Sequence, residues 1–148
     1  MKKIQKIYHD HGFGFPVTLF NVPMVRVRQE WIPNLNQKEL QLLVLEALAL
    51  KPSRLSGNEV HFLRVYSQMT LKQFASRFNV SHPAVMKWEK AQNQSTGMTW
   101  ATEKDIRLFI LKTLDTHPKK FLLAYEKLTQ VASAKAMKVK IDITKIPA

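Results

Sequence analysis

The chain contains no cysteine. That excludes disulfides, thiolate zinc sites and cysteine nucleophiles. Acidic residues are also scarce, with 11 Asp and Glu against 23 Lys and Arg. Their scatter leaves no paired-carboxylate arrangement, and no Ser/His/Asp set or P-loop is present, so enzymatic activity is not expected. Long hydrophobic runs are missing too. The most apolar stretches, residues 42–50 and 109–111, are broken or too short to span a bilayer. The N-terminal lysines precede no apolar segment of signal-peptide type, so a cytoplasmic protein without membrane contact is expected. His9-Asp10-His11 places two imidazoles one residue apart, but no third or fourth ligand follows at a suitable spacing. No metal and no other cofactor are expected.

What remains is a basic globular chain. Its 148 residues suit one compact domain or a small domain with an appendage, and 45% apolar against 23% charged residues is ordinary for a packed protein. The formal charge is +12, with the excess spread along the sequence. A pI near 10.1 fits nucleic acid or another anionic surface as partner.

Residues 70–90, TLKQFASRFNVSHPAVMKWEK, carry the strongest local pattern. Thr70 caps a first short helix, with Gln73 completing a capping box. Phe74, Ala75 and Phe78 recur at helical spacing and predict a core-facing stripe. Asn79 tolerates the left-handed conformation that ends a helix, and apolar Val80 follows it. Ser81 caps a second helix, with Pro83 in the first turn, where a missing N–H costs little. Val85 and Trp88 point inward, which leaves His82, Pro83, Ala84 and Lys87 on the outer face. Two short helices around a tight turn, in a cationic chain, make a helix-turn-helix.

The rest of the chain is organised around it. Residues 1–12 read as mobile. Alternation in residues 16–20 and 24–28 predicts two short strands joined as a hairpin or bent pair around Asn21, and Pro23 argues that at least one is an edge. Asn36 caps a strongly apolar helix over 37–50. Lys51-Pro52-Ser53 marks a boundary. Ser56 and Glu59 form a capping box for a helix reaching about Tyr66, and residues 91–101 read as a loop. Thr102 and Asp105 open a further helix with Ile106, Phe109, Ile110 and Leu114 on one face, and Thr116 with Pro118 opens the last, over about 117–131. In the tail, Val139, Ile141 and Ile143 alternate with polar residues. This is either a strand, pairing with the N-terminal strands or a second subunit, or a frayed basic end. The expected fold is mainly α: a small hairpin-plus-helix region over 1–52, a five-helix helix-turn-helix domain over 53–131, and the basic tail 132–148.

Phe74-Ala75, Val80-Ser81, Val85 and Trp88-Glu89 resemble the Cro/repressor (XRE) type of DNA-binding domain. Leu19-Phe20-Asn21-Val22-Pro23, Ile32-Pro33-Asn34, the linker from Lys51 to Arg64, and Leu114-Asp115 with His117-Pro118 extend the likeness. Together they are similar to the MqsA-type antitoxins and relatives with a YgiT-type N-terminus, over roughly residues 14–128. Three departures are visible. The two CxxC pairs that hold zinc in that family are absent. Leu71 stands where repressors often place a phosphate-contacting Gln, and Pro83 where the family can place a base-reading Asn. Lys87 matches the position of a base-reading Arg.

The resemblance implies a homodimeric repressor on a palindromic operator, acting as the antitoxin of a toxin–antitoxin pair and repressing its own operon. Its N-terminal region would bind or shield a toxin protein. The alternatives are a stand-alone XRE-type regulator and a protein-interaction module whose helix-turn-helix serves assembly only. Lys87 is the sharpest candidate for base readout, by donation to guanine O6/N7, against a role as a phosphate-contacting or solvated lysine. His82 reaches a phosphate or base edge, or simply fills the first turn. Pro83 and Ala84 offer apolar contact to a thymine methyl. Thr70 and Ser81 are caps with a secondary phosphate role, and Lys72, Gln73 and Lys90 are expected on the DNA backbone.

Overall fold

A computed structural model describes residues 1–114, 118–128, 131 and 135–145. In chain order the elements are β1 Lys2–Asp10, β2 Val17–Val27, β3 Glu30–Pro33, α1 Gln37–Ala49, α2 Gly57–Tyr66, α3 Leu71–Arg77, α4 His82–Lys90, α5 Trp100–Thr113, α6 Pro118–Leu128 and β4 Val139–Asp142. The fold is mixed rather than mainly α, at 48% helix and 23% strand. None of the helices among the described residues is long and apolar enough to cross a membrane.

The sheet is larger than the sequence pattern suggests, and the reason is long-range pairing. Residues 2–10, which the sequence leaves without an element, form an edge strand antiparallel to β2, in a register running from Lys2 opposite Val25 to Asp10 opposite Val17. The expected hairpin around Asn21 is instead one continuous strand of 11 residues. Its two other partners share one flank. β4 pairs parallel with Val17–Phe20, and β3 pairs antiparallel with Met24–Val27. Asn21 and Pro23 lie in the gap between them. Asn21 adopts φ 58° and donates to Asp142 Oδ1 at 2.9 Å. Asn34 N–H donates to the Pro23 carbonyl at 2.8 Å, so the position where Pro23 lacks an N–H faces the end of β3. A proline in a central strand is therefore tolerated here, because that side of the ladder is interrupted.

The kink at Asn21 shifts the strand's alternation, so that Val17, Leu19, Val22 and Met24 are all buried. They pack with Leu40, Val44, Leu45 and Leu48 of α1 and with Ile106, Ile110 and Leu111 of α5 in one contiguous core. Val139, Ile141 and Ile143 of the tail are buried in the same core. The tail is thus a strand of this sheet, and it packs on α1. Phe13 and Phe15, from the loop between β1 and β2, meet Phe62 of α2 edge-on with ring centroids 5.6 and 5.5 Å apart.

The helical half follows its capping residues. Asn36, Ser56, Thr70, Ser81 and Thr99 cap α1 to α5, and Ser56/Glu59 and Thr70/Gln73 are complete capping boxes. The expected start of α5 at Thr102 is three residues late. Thr99 accepts the backbone N–H of Thr102 at 3.4 Å, so Thr102 lies inside the first turn. Of the last helix expected from the sequence, Thr116, His117 and residues 129–130 lie outside the described residues.

Between the sheet and α2, residues 51–56 are held by a buried ionic cluster. Lys51 pairs with Glu59 at 2.8 Å. Glu103 and Arg107 are both fully buried and pair at 2.8 Å. Glu103 also accepts from Arg54 Nε at 2.9 Å and from the Leu55 backbone at 3.2 Å. Arg107 donates to the carbonyls of Lys51, at 2.6 Å, and Ser53. Burial pulls the Arg107 guanidinium below its ordinary pKa, opposed by the charge and hydrogen bonds of Glu103.

Candidate nucleic-acid interface

The turn between α3 and α4 is built as a helix stop followed at once by a helix start. Asn79 adopts φ 56°. The N–H groups of Asn79 and Val80 return to the carbonyls of Ser76 and Ala75 at 3.3 and 3.0 Å, the paired pattern that closes a helix through a left-handed residue. Ser81 then accepts the N–H of Ala84 at 3.2 Å and starts α4. The short connection fixes the relative direction of the two helices with little freedom.

α4 is also pinned from behind. Val85 and Trp88 are buried in the core. Glu89 accepts from Arg64 of α2 through Nε at 2.8 Å and Nη2 at 2.9 Å, and it is paired with His61. Arg64 also donates to the Met69 carbonyl at 2.9 Å, joining α2, the approach to α3, and α4. Partial burial alone would raise the Glu89 carboxyl; the hydrogen bonds and charges of Arg64 and His61 outweigh it and hold the carboxyl below its ordinary value. At the far end of α4, Gly57 lies so close that a Cβ there would collide with the Trp88 carbonyl and crowd the Gln92 nitrogen.

These supports decide which residues reach solvent. Thr70, Lys72, Gln73, Ser81, Pro83, Lys87 and Lys90 are exposed, and His82 is half-buried. Ala84 departs from expectation: it is half-buried and packs against the core instead of facing outward. Met86 takes the outward position that the sequence reading missed, at 37% exposure. Its spacing gave the signal, since 83, 86, 87 and 90 recur on the face opposite Val85 and Trp88. Leu71 is half-buried against the core.

Thr70 and Gln73 are brought together by the capping box. The Thr70 N–H donates to Gln73 Oε1 at 2.9 Å and the Gln73 N–H to Thr70 Oγ1 at 3.1 Å. Gln73 keeps its amide N–H₂ for an outside acceptor, and Thr70 and Ser81 keep their hydroxyl protons. Lys51, Arg54, Arg64 and Arg107 are engaged in internal pairs, and Arg77 lies 3.8 Å from Asp105. Among the described residues, Lys72, Lys87 and Lys90 have no carboxylate partner. His9, Asp10 and His11 gather no third ligand, and no group of three or more metal-ligating side chains occurs among the described residues. Compared with known proteins, the chain matches no family model, no curated protein and no solved structure.

Proposed function

We propose that this chain is a sequence-specific double-stranded DNA-binding repressor that places α4 in the major groove. The observation that carries the reading is the outer face of α4. Its backbone is capped and pinned from behind, and its free side presents Pro83, Met86 and two unpaired lysines, Lys87 and Lys90. In this reading Lys87 and His82 address base edges, Pro83 and Met86 meet thymine methyls, and Thr70, Lys72, Gln73, Ser81 and Lys90 hold the phosphates. Binding should be steeply salt-dependent, since each neutralised phosphate contributes a slope of about −0.9 in log K against log salt.

Gel-shift titration of the chain's own promoter against scrambled DNA tests this. Lys87→Ala should cost about 1–3 kcal/mol and relax preference at one base pair. Lys90→Ala should weaken all sequences alike and lower the salt slope by about 1. Equal affinity for promoter and scrambled DNA at physiological salt would sink the proposal.

The resemblance to MqsA-type antitoxins supports a finer version, in which a toxin protein encoded beside this chain binds its N-terminal region. Co-purification with the product of an adjacent, co-transcribed reading frame is the test. The stand-alone regulator is favoured by a different observation. The apolar α1 is covered by its own sheet and α5, which leaves only Leu42 at 46% exposure as a large apolar residue on its free side.

A further inference from the structure

We propose that β1 is a self-pairing edge: two copies of the chain join their β1 strands antiparallel about a two-fold axis, with Lys3 of each copy facing Asp10 of the other. The proposal deepens the dimer of the DNA-binding reading, but it stands on the sheet alone and is tested without DNA.

β1 lies at the edge of the sheet, and among the described residues no strand pairs with its outer side. The backbone N–H and C=O groups of the alternate residues that point away from β2 face outward along this nine-residue strand, and the Ile7 carbonyl already accepts from Gln5 Nε2 at 2.8 Å. Which register a second β1 can take follows from the side-chain faces. Residues paired across a sheet share a face, so the partners of Leu19, Val22 and Met24 identify Tyr8, Gln5 and Lys3 as facing the core side. Asp10, opposite Val17, joins them. Lys2, Ile4, Ile7 and His9 face the other side. The alternation breaks at Lys6, whose pairing with Asn21 is missing from the ladder.

That break decides the answer. In an uninterrupted strand, a two-fold axis normal to the sheet sets residues of equal parity opposite one another. Here residues 3 and 5 share a face with 8 and 10, so opposed residues must be of unlike parity. Lys3 then meets Asp10, Ile4 meets His9, and Gln5 meets Tyr8, with the faces matched in these three pairs. A slip of one residue either way sets inward side chains against outward ones, with Lys6 opposite Lys6 in one direction and Ile7 opposite Ile7 in the other. A slip of two residues puts Tyr8 opposite Lys3 in one direction, and Gln5 opposite Asp10 with Ile7 opposite Tyr8 in the other; either removes both lysine–aspartate pairs. Edge lysines ordinarily discourage strand pairing; in this register alone, Lys3 is met by a carboxylate on the same face.

Sedimentation equilibrium of the full chain, without DNA, reads the outcome. The wild type should dimerise. Lys3→Glu, which sets a second carboxylate against Asp10 twice per dimer, should raise the dissociation constant at least about tenfold. Asp10→Lys should do the same, and the double variant Lys3→Glu/Asp10→Lys should return it to near wild type. Within one strand these positions are seven residues, about 23 Å, apart, so rescue must act between copies. Asp10 also accepts the Gly12 N–H at 2.7 Å. Lys3→Glu, with circular dichroism confirming its fold, therefore carries the single-variant test. A monomeric wild type, a single variant that dimerises unchanged, or a charge swap without rescue each overturns the proposal.

Discussion

The two halves of this molecule are specified in different ways. From Ser56 to Thr99 the chain is governed locally: four capping residues start the helices, and Gln68, Asn79 and Gln92 at positive φ lie just beyond the ends of α2, α3 and α4. Each interaction spans a few residues and can form with little loop-closure cost. The sheet has almost none of this. β2 meets β4 across more than a hundred residues, and β1 has no structure to adopt until β2 is beside it. The helices α2 to α4 can therefore be read and perturbed one residue at a time, whereas the sheet depends on what closes the chain around it.

The largest perturbation should come where the halves are joined. Glu103 serves Arg54, Arg107 and the Leu55 N–H from a fully buried position, and Arg107 in turn holds the carbonyls of Lys51 and Ser53. Removing one partner strands the other charge without water. Glu103→Gln should lose about 3–5 kcal/mol in urea unfolding, and sheet and helix signals should fall together in one transition. Two separated transitions would mean that the halves are coupled less tightly than their shared core indicates.

A middle-sized effect is expected among the helices, at the support of α4. The folded Glu89 carboxyl binds its proton less tightly than the unfolded chain does. Its contribution is therefore complete above the ordinary glutamate range and disappears as pH falls through the depressed value. Glu89→Gln should cost about 1–2 kcal/mol at neutral pH, and the wild-type and variant stabilities should converge in acid. Equal curves across pH would show that Arg64 and His61 contribute nothing through this carboxylate. On the proposed DNA-binding reading, affinity for DNA should fall as well, because Glu89 fixes α4 and does not itself reach outward.

The same contrast explains what could be read in advance. The capping boxes, the left-handed Asn79 and the inward Val85 and Trp88 were legible, because a short pattern determines each; the tail's alternation left a strand and a frayed end equally open, and pairing with β2 decides for the strand. The outer face of α4 was legible except at Ala84 and Met86, whose places depend on a small rotation of the helix that spacing alone does not resolve. β1 was missed because KKIQKIYHD has no clean alternation, its faces shifting at Lys6 together with Asn21 in the neighbouring strand. Within the ionic cluster, Lys51–Glu59 and Glu103–Arg107 are close in sequence, but the bonds from Arg54 and Leu55 to Glu103 and from Arg107 to Lys51 and Ser53 join distant segments, and charges so far apart carry no periodicity. Asn21-Val22-Pro23 has turn-forming residues yet lies within a strand, between the ends of β4 and β3.

The true turn shows the converse, and it supports the smallest prediction. β2 and β3 are joined through Arg28 and Gln29, at φ 50° and 67°, between the paired Val27 and Glu30. Two residues at positive φ match the right-handed twist of the strands, and Asn-Gly is the pair that adopts them most readily. Arg-Gln gives no such signal, and both side chains resist the left-handed region that the tertiary structure imposes. Arg28→Asn/Gln29→Gly should therefore stabilise the protein by about 0.5–1 kcal/mol, the relief of strain being offset in part by the greater freedom of glycine in the unfolded chain. The gain should appear as a higher urea midpoint with an unchanged slope. No gain would indicate that Arg28 or Gln29 makes a compensating contact, and that the sheet has more local support than its pairing distances suggest.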